Sequence, residues 1–487
     1  MQMQASAVDK GIHFWFAVVS MMIGVVLLTG CVPDSSKQQK VGYFSQKSNV
    51  ASDIIRSTTD KSKAIPFVYT TRRELSLTFN GMADSETMKK LLDELDKHHL
   101  KATFFLPGMR VAEEPDLAKE IAARGHEIEN NTLNQLDLTT LSYEQISSEI
   151  KLSRDVIEKA TGKSVRYVRT KTGTYSDDVL FAAAQSGQEA VVSSSLFLHN
   201  WENETEAQKM RYVRKYINRG GIIALDTQEN KQLNENVSLL ARAASDVGYR
   251  FVTLQELIAG GQERKPLPQI AGFDAAKIAP DDRHASYKYV MRAETGKNQI
   301  ALSFDDWGTD YTVTKILDVL DKYKVKASFF LRADGVEKNP NLARAIAEAG
   351  HDVGNHTYSH PVVTKITKAQ LQEEIVKAHQ IITEAIQQKP VMYFRPPTGV
   401  FDENTLKTIS ATGYHTIANF DVDPSDYIRT RTAEEIVNAT LEQARSGSVI
   451  LLHMLDDTHT VEALPIIIEK LRSKGYSFVK MTEMFGP

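Results

Sequence analysis

Residues Gln299–Asp310 read QIALSFDDWGTD. Ile300, Ala301, Leu302 and Phe304 are small or apolar, as a buried strand requires. The run then stops at two adjacent carboxylates, Asp305 and Asp306. In a parallel α/β sheet or barrel, the C-terminal ends of strands are where chemistry sits. Two like charges side by side are costly unless a cation or a basic group answers them. A solvated Asp-Asp turn would explain the pair if it stood alone. The rest of the chain, however, supplies partners at the ends of later strands.

The same pattern occurs earlier. LTFNGMADSETMKKLLDELDKHHLKATFFL (77–106) aligns with LSFDDWGTDYTVTKILDVLDKYKVKASFFL (302–331), and ARGHEIENNTLNQ (123–135) with EAGHDVGNHTYSH (348–360). VRYVRTKTGTYSDDVL (165–180) aligns with VMYFRPPTGVFDENTL (391–406), and GGIIALD (220–226) with GSVILLH (447–453). Four blocks held in one register indicate duplication of a unit of about 190 residues. In each copy, short apolar runs alternate with amphipathic segments such as 86–98, 143–160, 313–323 and 368–387. That alternation predicts a parallel sheet or barrel. Strands are expected in the first copy up to 251–254 and in the second from 300–304 to 478–480. The fold class read here is α/β, two tandem distorted (β/α) barrels.

The organisation read from the chain is a leader over 1–31, a polar tether over 32–65, a first domain over 66–261, a Pro- and Gly-broken linker over 262–297 and a second domain over 298–487. The 487 residues are too many for one core. Basic and acidic residues number 58 and 62, and the basic ones are scattered, so no nucleic-acid partner is expected. The single cysteine, Cys31, excludes an intramolecular disulfide. It follows Lys10, an apolar run from His13 to Thr29, and Gly30, which resembles a bacterial lipoprotein signal. That resemblance implies lipidation at Cys31, a membrane anchor and an extracytoplasmic location. An uncleaved membrane anchor is the alternative.

In the second copy the suspicious polar residues sit at or just after strand ends: Asp305, Asp306, His356, His360, Arg395, Asp423, Asp426 and His453. His356 and His360 are four apart; on one helical turn that spacing puts both imidazoles on one face, suited to a metal. One added carboxylate gives a two-His, one-Asp set that fits zinc or a similar divalent ion. The other acid is then free to take a proton, with Arg395 as its counter-charge. A carboxylate such as Asp426 would keep His453 protonated, able to act as an acid. His351, His379, His415 and His459 read as structural or surface residues.

SFDDWG, HTYSH, RPPTG, DVDPSDY and LLH, in this order, resemble the five motifs of polysaccharide deacetylases, the NodB-homology or carbohydrate esterase 4 family. The resemblance covers about 190 C-terminal residues. It implies a distorted barrel and metal-dependent removal of N-acetyl groups from sugar polymers. By position, it makes Asp305 the catalytic base, Asp306, His356 and His360 the metal ligands, and Arg395 the brace of Asp305. His453 becomes the catalytic acid and Asp426 its tuner. Leu451 and Tyr427 would line the slot for the acetyl methyl, and the backbone N–H of Thr398 would face the oxyanion. The expected cofactor is a divalent metal, zinc first, with Co2+ or Ni2+ as alternatives. Trp307 stands where the family usually has Gly, Thr398 where Tyr or Phe is frequent, and Tyr427 where Trp is frequent. These departures bear on substrate preference.

The first copy has Asn80 and Gly81 for the two acids, Asn131 and Gln135 for the histidines, and Asp226 for His453; only Arg169 matches, to Arg395. It is expected to hold no catalytic metal. Its role is either to grip polysaccharide in the old groove or to pack as a spacer, the second favoured because few exposed aromatics are visible. The functions to be separated are N-deacetylation of cell-wall or related glycans, O-acetyl esterase action on a polymer such as xylan, and non-catalytic wall binding.

Overall fold

The computed structural model of the protein describes residues 59–198 and 203–486. The lipidation reading at Cys31 lies outside the described residues. So do residues 32–58 of the tether.

Strand Gln299–Asp306 is buried along its length except at its two ends. Ile300, Leu302 and Phe304 turn to a core shared with the surrounding helices, while Ala301 belongs to the barrel interior with Phe330, Tyr393 and Val449. This two-residue alternation aims Ser303 and Asp305 inward too. Strand order across the sheet is Lys288–Val290, Thr416–Ala418, Tyr393–Phe394, Asp352–Asn355, Ser328–Leu331, Gln299–Asp306, Val449–His453, with every neighbouring pair parallel. Bridges between Val422 and Ile450 and between Arg292 and Ser448 bring the two edges together. The result is a distorted (β/α) barrel. The first copy repeats it in the order Lys63–Ile65, Ala190–Val192, Tyr167–Val168, Glu127–Asn130, Thr103–Leu106, Glu74–Asn80, Ile222–Asp226, Leu196–Phe197.

Two strands fall where the sequence reads as connector. Lys63–Ile65 pairs with Ala190–Val192 at the end of the tether, and Lys288–Val290 pairs with Thr416–Ala418 inside the linker. Each is only three residues long, too short to show a period. The expected strand at 251–254 is instead Arg250–Phe251 followed by helix Leu254–Ala259, because Thr253 caps that helix in a reciprocal box with Glu256. Leu254 and Leu257 then plug the barrel interior. The motif at 356–360 is also no helical turn. Thr357 and His360 are left-handed (φ 67° and 63°), which folds a tight loop. Asn355 Oδ1 accepts from Thr357 N at 2.8 Å, and Thr357 Oγ1 accepts from His360 N at 3.0 Å.

The barrels meet through buried polar contacts. Asp310, the first residue of helix Asp310–Lys322, accepts from Arg219 N at 3.1 Å, from the Arg219 guanidinium and from the Tyr249 hydroxyl. Asn341 donates to Val68 O and Arg219 O, both at 2.8 Å, and accepts from Thr70 N at 3.1 Å. Gly220 sits at this crossing with φ 69°, and a Cβ there would lie 1.7 Å from Val68 O. Tyr311 joins the first barrel's hydrophobic core.

Candidate functional site

At the C-terminal mouth of the second barrel, Asp305 is buried and accepts from Arg395 Nη1 at 2.7 Å. Arg395 is itself sealed in. Its other N–H groups go to Ser303 Oγ (2.9 Å), Ala418 O (3.0 Å) and Asn419 O (3.2 Å), and its guanidinium lies 4.0 Å from the Phe330 ring centroid. Burial pushes the Asp305 carboxyl upward, and Arg395 and His453 oppose the shift. A carboxylate in that position is fixed in direction and more basic than one in water.

Asp306 is the next residue, yet its backbone is left-handed at φ 73°. That break turns its carboxylate away from Asp305 and towards the histidine loop, 3.3 Å from His360 Nε2. His356 Nδ1 is 2.8 Å from Arg395 O, so Nδ1–H donates to that carbonyl and leaves Nε2 as the free lone pair. Burial pushes His356 down to about 3, which keeps the imidazole neutral. Asp306, His356 and His360 each offer a ligand atom within 4.8 Å of the others, and among the described residues no other group of three or more His, Cys, Asp or Glu does so. Two imidazoles and one carboxylate suit a divalent ion with open positions for substrate.

Across the mouth, His453 Nδ1 is 2.7 Å from Asp426 Oδ1. Asp426 is fully buried, and its other oxygen accepts from His453 N (2.8 Å) and Thr460 Oγ1 (2.6 Å). Tyr427 lies edge-on to His453 at 5.2 Å and is open to solvent, whereas Leu451 is buried. Thr398 occupies the turn after Arg395 with φ 62°. Trp307 is half-buried and packs on Gly335, where a Cβ would come within 2.2 Å of the indole. Asp423 is spent on a turn, accepting from Ser425 N at 2.7 Å. His351 and His379 are structural, bonded to Ala327 N and to Tyr414 and Gly272.

Sequence reasoning missed the side chains that hold the histidine loop. Glu374 accepts from Tyr358 N at 3.0 Å and Ser359 N at 2.7 Å. Its counterpart Glu149 accepts from Asn134 N at 2.9 Å, so the repeat itself carried the signal.

The first mouth has the same frame with neutral occupants. Asn131 Nδ2 donates to Arg169 O at 2.9 Å, as His356 does to Arg395 O. Asn131 Oδ1 accepts from Gly81 N and from Gln135 Nε2, closing the space with amides. Arg169 is fully buried and, among the described residues, meets Thr78, Asn80, two carbonyls and the Phe105 ring. With no carboxylate among the described residues to oppose it, burial pushes Arg169 down to about 9. Asn80→Asp should therefore restore a counter-charge and stabilise the protein by about 2 kcal/mol at neutral pH. A thermal melt that fails to rise would contradict this account of Arg169.

Comparison with known families agrees with the geometry. The polysaccharide deacetylase family profile matches residues 68–191 and again 292–417. The chain belongs to the polysaccharide deacetylase family. It is 37% identical over 221 residues to a peptidoglycan-N-acetylglucosamine deacetylase of Bacillus cereus, covering 45% of this chain and 79% of that protein. It is 31% identical over 200 residues to the peptidoglycan-N-acetylmuramic acid deacetylase PdaA of Bacillus subtilis, covering 41% of this chain and 75% of that one. A crystal structure of a peptidoglycan N-acetylglucosamine deacetylase is 37% identical, covers 41% of this chain and 93% of its own, and has a TM-score of 0.39. The two family matches correspond to the two barrels of this deacetylase-family chain.

Proposed function

We propose that the second barrel removes N-acetyl groups from peptidoglycan or a related N-acetylated glycan, using a divalent ion, zinc by donor preference. The observation that carries this reading is the convergence of Asp306, His356 and His360 beside a buried, arginine-held carboxylate. An ion held by those three side chains would supply Lewis acidity for the amide carbonyl and the attacking water. Asp305 takes the proton from that water, its lone pair aimed by Arg395. His453 gives a proton to the departing nitrogen, so acetate leaves and a free amine remains on the sugar. Leu451 and Tyr427 receive the acetyl methyl, and the Thr398 N–H faces the developing oxyanion. Trp307 contributes to the lip of the groove by packing. The first barrel holds no catalytic ion, and Cys31 carries the lipid that fixes the chain to a membrane facing the wall.

The direct test is acetate release from chito-oligomers, peptidoglycan strands and acetylated xylan, with and without a chelator. Release from the first two that stops on chelation and returns with Zn2+ is expected. Release from xylan alone would reassign the chain to O-acetyl ester hydrolysis, and none at all would leave a wall-binding protein.

The acid group makes a pH prediction. Burial alone would lower His453, but the hydrogen bond and charge of Asp426 outweigh it and push it up to about 9. The working form is protonated, so kcat/KM should hold through neutrality and fall as the pH passes about 9. The same raised pKa contributes stability that is complete below about 6.5 and lost as the pH rises through 9. Asp426→Asn should bring the alkaline limb down towards the ordinary histidine value of 6.5. A limb that stays in place would separate His453 from the acid role.

A further inference from the structure

Two loops carry the chemistry just assigned, and they are laced together. Met454 N donates to Asp305 O at 3.1 Å. Asp456 accepts from Thr309 Oγ1 at 2.7 Å and from Thr312 Oγ1 at 2.5 Å. A Cβ on Gly308 would lie 1.8 Å from Met454 O, so the two loops touch with no slack. The far end of each loop is fastened to the first barrel. Asp310, four residues after Asp306, is held by Arg219 and Tyr249, and Asp457, four after His453, lies 3.3 Å from Arg211.

The Asp310 contact is not inherited from the barrel itself. Its counterpart in the first copy is Ser85, which lies exposed in solvent. Asp310 is instead buried against the other barrel. Beyond the Arg219 and Tyr249 contacts, its carboxylate takes bonds from Asn339 Nδ2 at 3.2 Å and Thr314 Oγ1 at 3.0 Å. A buried carboxylate with that many donors has one position, because moving it strands charge away from water. Only three residues separate it from Asp306, so a shift of the helix start is transmitted to that ligand.

We propose that the first barrel is a brace for the metal-binding loop, with Arg219 and Tyr249 as positioning residues. This rests on the metal-site reading above. It gives the amide-filled barrel a task that needs no ligand of its own. Arg219 and Tyr249 act through Asp310, and neither reaches the reacting atoms.

The test uses the full chain carrying Tyr249→Phe, which removes one hydrogen bond, or Arg219→Lys, which keeps the charge. Arg73→Ala is the control, since Arg73 pairs with Asp318 further along the same helix in the same interface. Zn2+ affinity is measured by competition with a chromophoric chelator, and amide hydrogen exchange over 306–312 is followed in the metal-free chain. Tyr249→Phe and Arg219→Lys should weaken Zn2+ binding about tenfold and lower kcat with KM unchanged. They should also speed exchange at 306–310, while Arg73→Ala does none of these. Lower melting temperatures with wild-type exchange and Zn2+ affinity would overturn the brace and leave a plain packing interface. A wild-type chain that takes up no Zn2+ would sink the metal reading instead, and the exchange comparison alone would then decide the brace.

Discussion

Replacing Asp305 with asparagine will lower acetate release by about a thousandfold while the barrel stays folded. The first copy already shows the amide in place. Asn80 stands opposite Asp226 in the sheet as Asp305 stands opposite His453, and Arg169 Nη1 reaches Asn80 Oδ1 at 3.0 Å. The amide keeps the shape and the hydrogen bond and lacks only the basic lone pair. Stability should fall by about 3 kcal/mol, because Arg395 is left buried without its counter-charge. Steady-state acetate release and a thermal melt separate the two effects. Activity within tenfold of the parent would show that another group takes the proton.

Asp306→Gly should have effects of opposite sign on binding and on stability. Gly81 is the natural occupant of this position in the first copy, with φ 80° against 73° for Asp306. A side chain costs about 1 kcal/mol in the left-handed region, so the metal-free variant should melt higher than its parent. It also loses the carboxylate proposed to hold the ion, and Zn2+ affinity should drop by well over a hundredfold, beyond what altering a mere supporting residue does. Calorimetry of the metal-free chain reads the first effect and chelator competition the second. A variant with a lower melting temperature would mean that the left-handed aspartate is not strained. One that keeps its affinity would move the ion elsewhere.

Asp305 and Asp306, though adjacent, differ in how far the chain alone reveals their placing. Asp305, His356, Arg395 and His453 were legible because each ends or follows a buried strand, and strand direction decides where such side chains meet. The left-handed turn at Asp306 was not, since alternation alone only says that neighbours point apart. For His356 and His360, the spacing implied convergence but suggested the wrong local geometry. A loop pinned by Asn355 and Glu374 achieves what a helical turn would. Leu254 reads as strand in the sequence because an apolar run is silent about the Thr253 cap that ends it. The interface could not be read at all. Asp310 and Arg219 look like ordinary surface charges until a second barrel buries them.

The short strand Lys288–Val290 changes how the protein can be divided. A cut anywhere in the apparent joint after that strand would leave the second barrel one stave short, its seam open beside Val422 and Ile450. Lys63–Ile65 stands at the matching register in the other half, so the unit that was copied starts with this stave and not with the longer strand that follows it. A fragment meant to stand alone must therefore begin upstream of Lys288, and a protease that nicks the chain between Val290 and Gln299 should release two halves of unequal soundness.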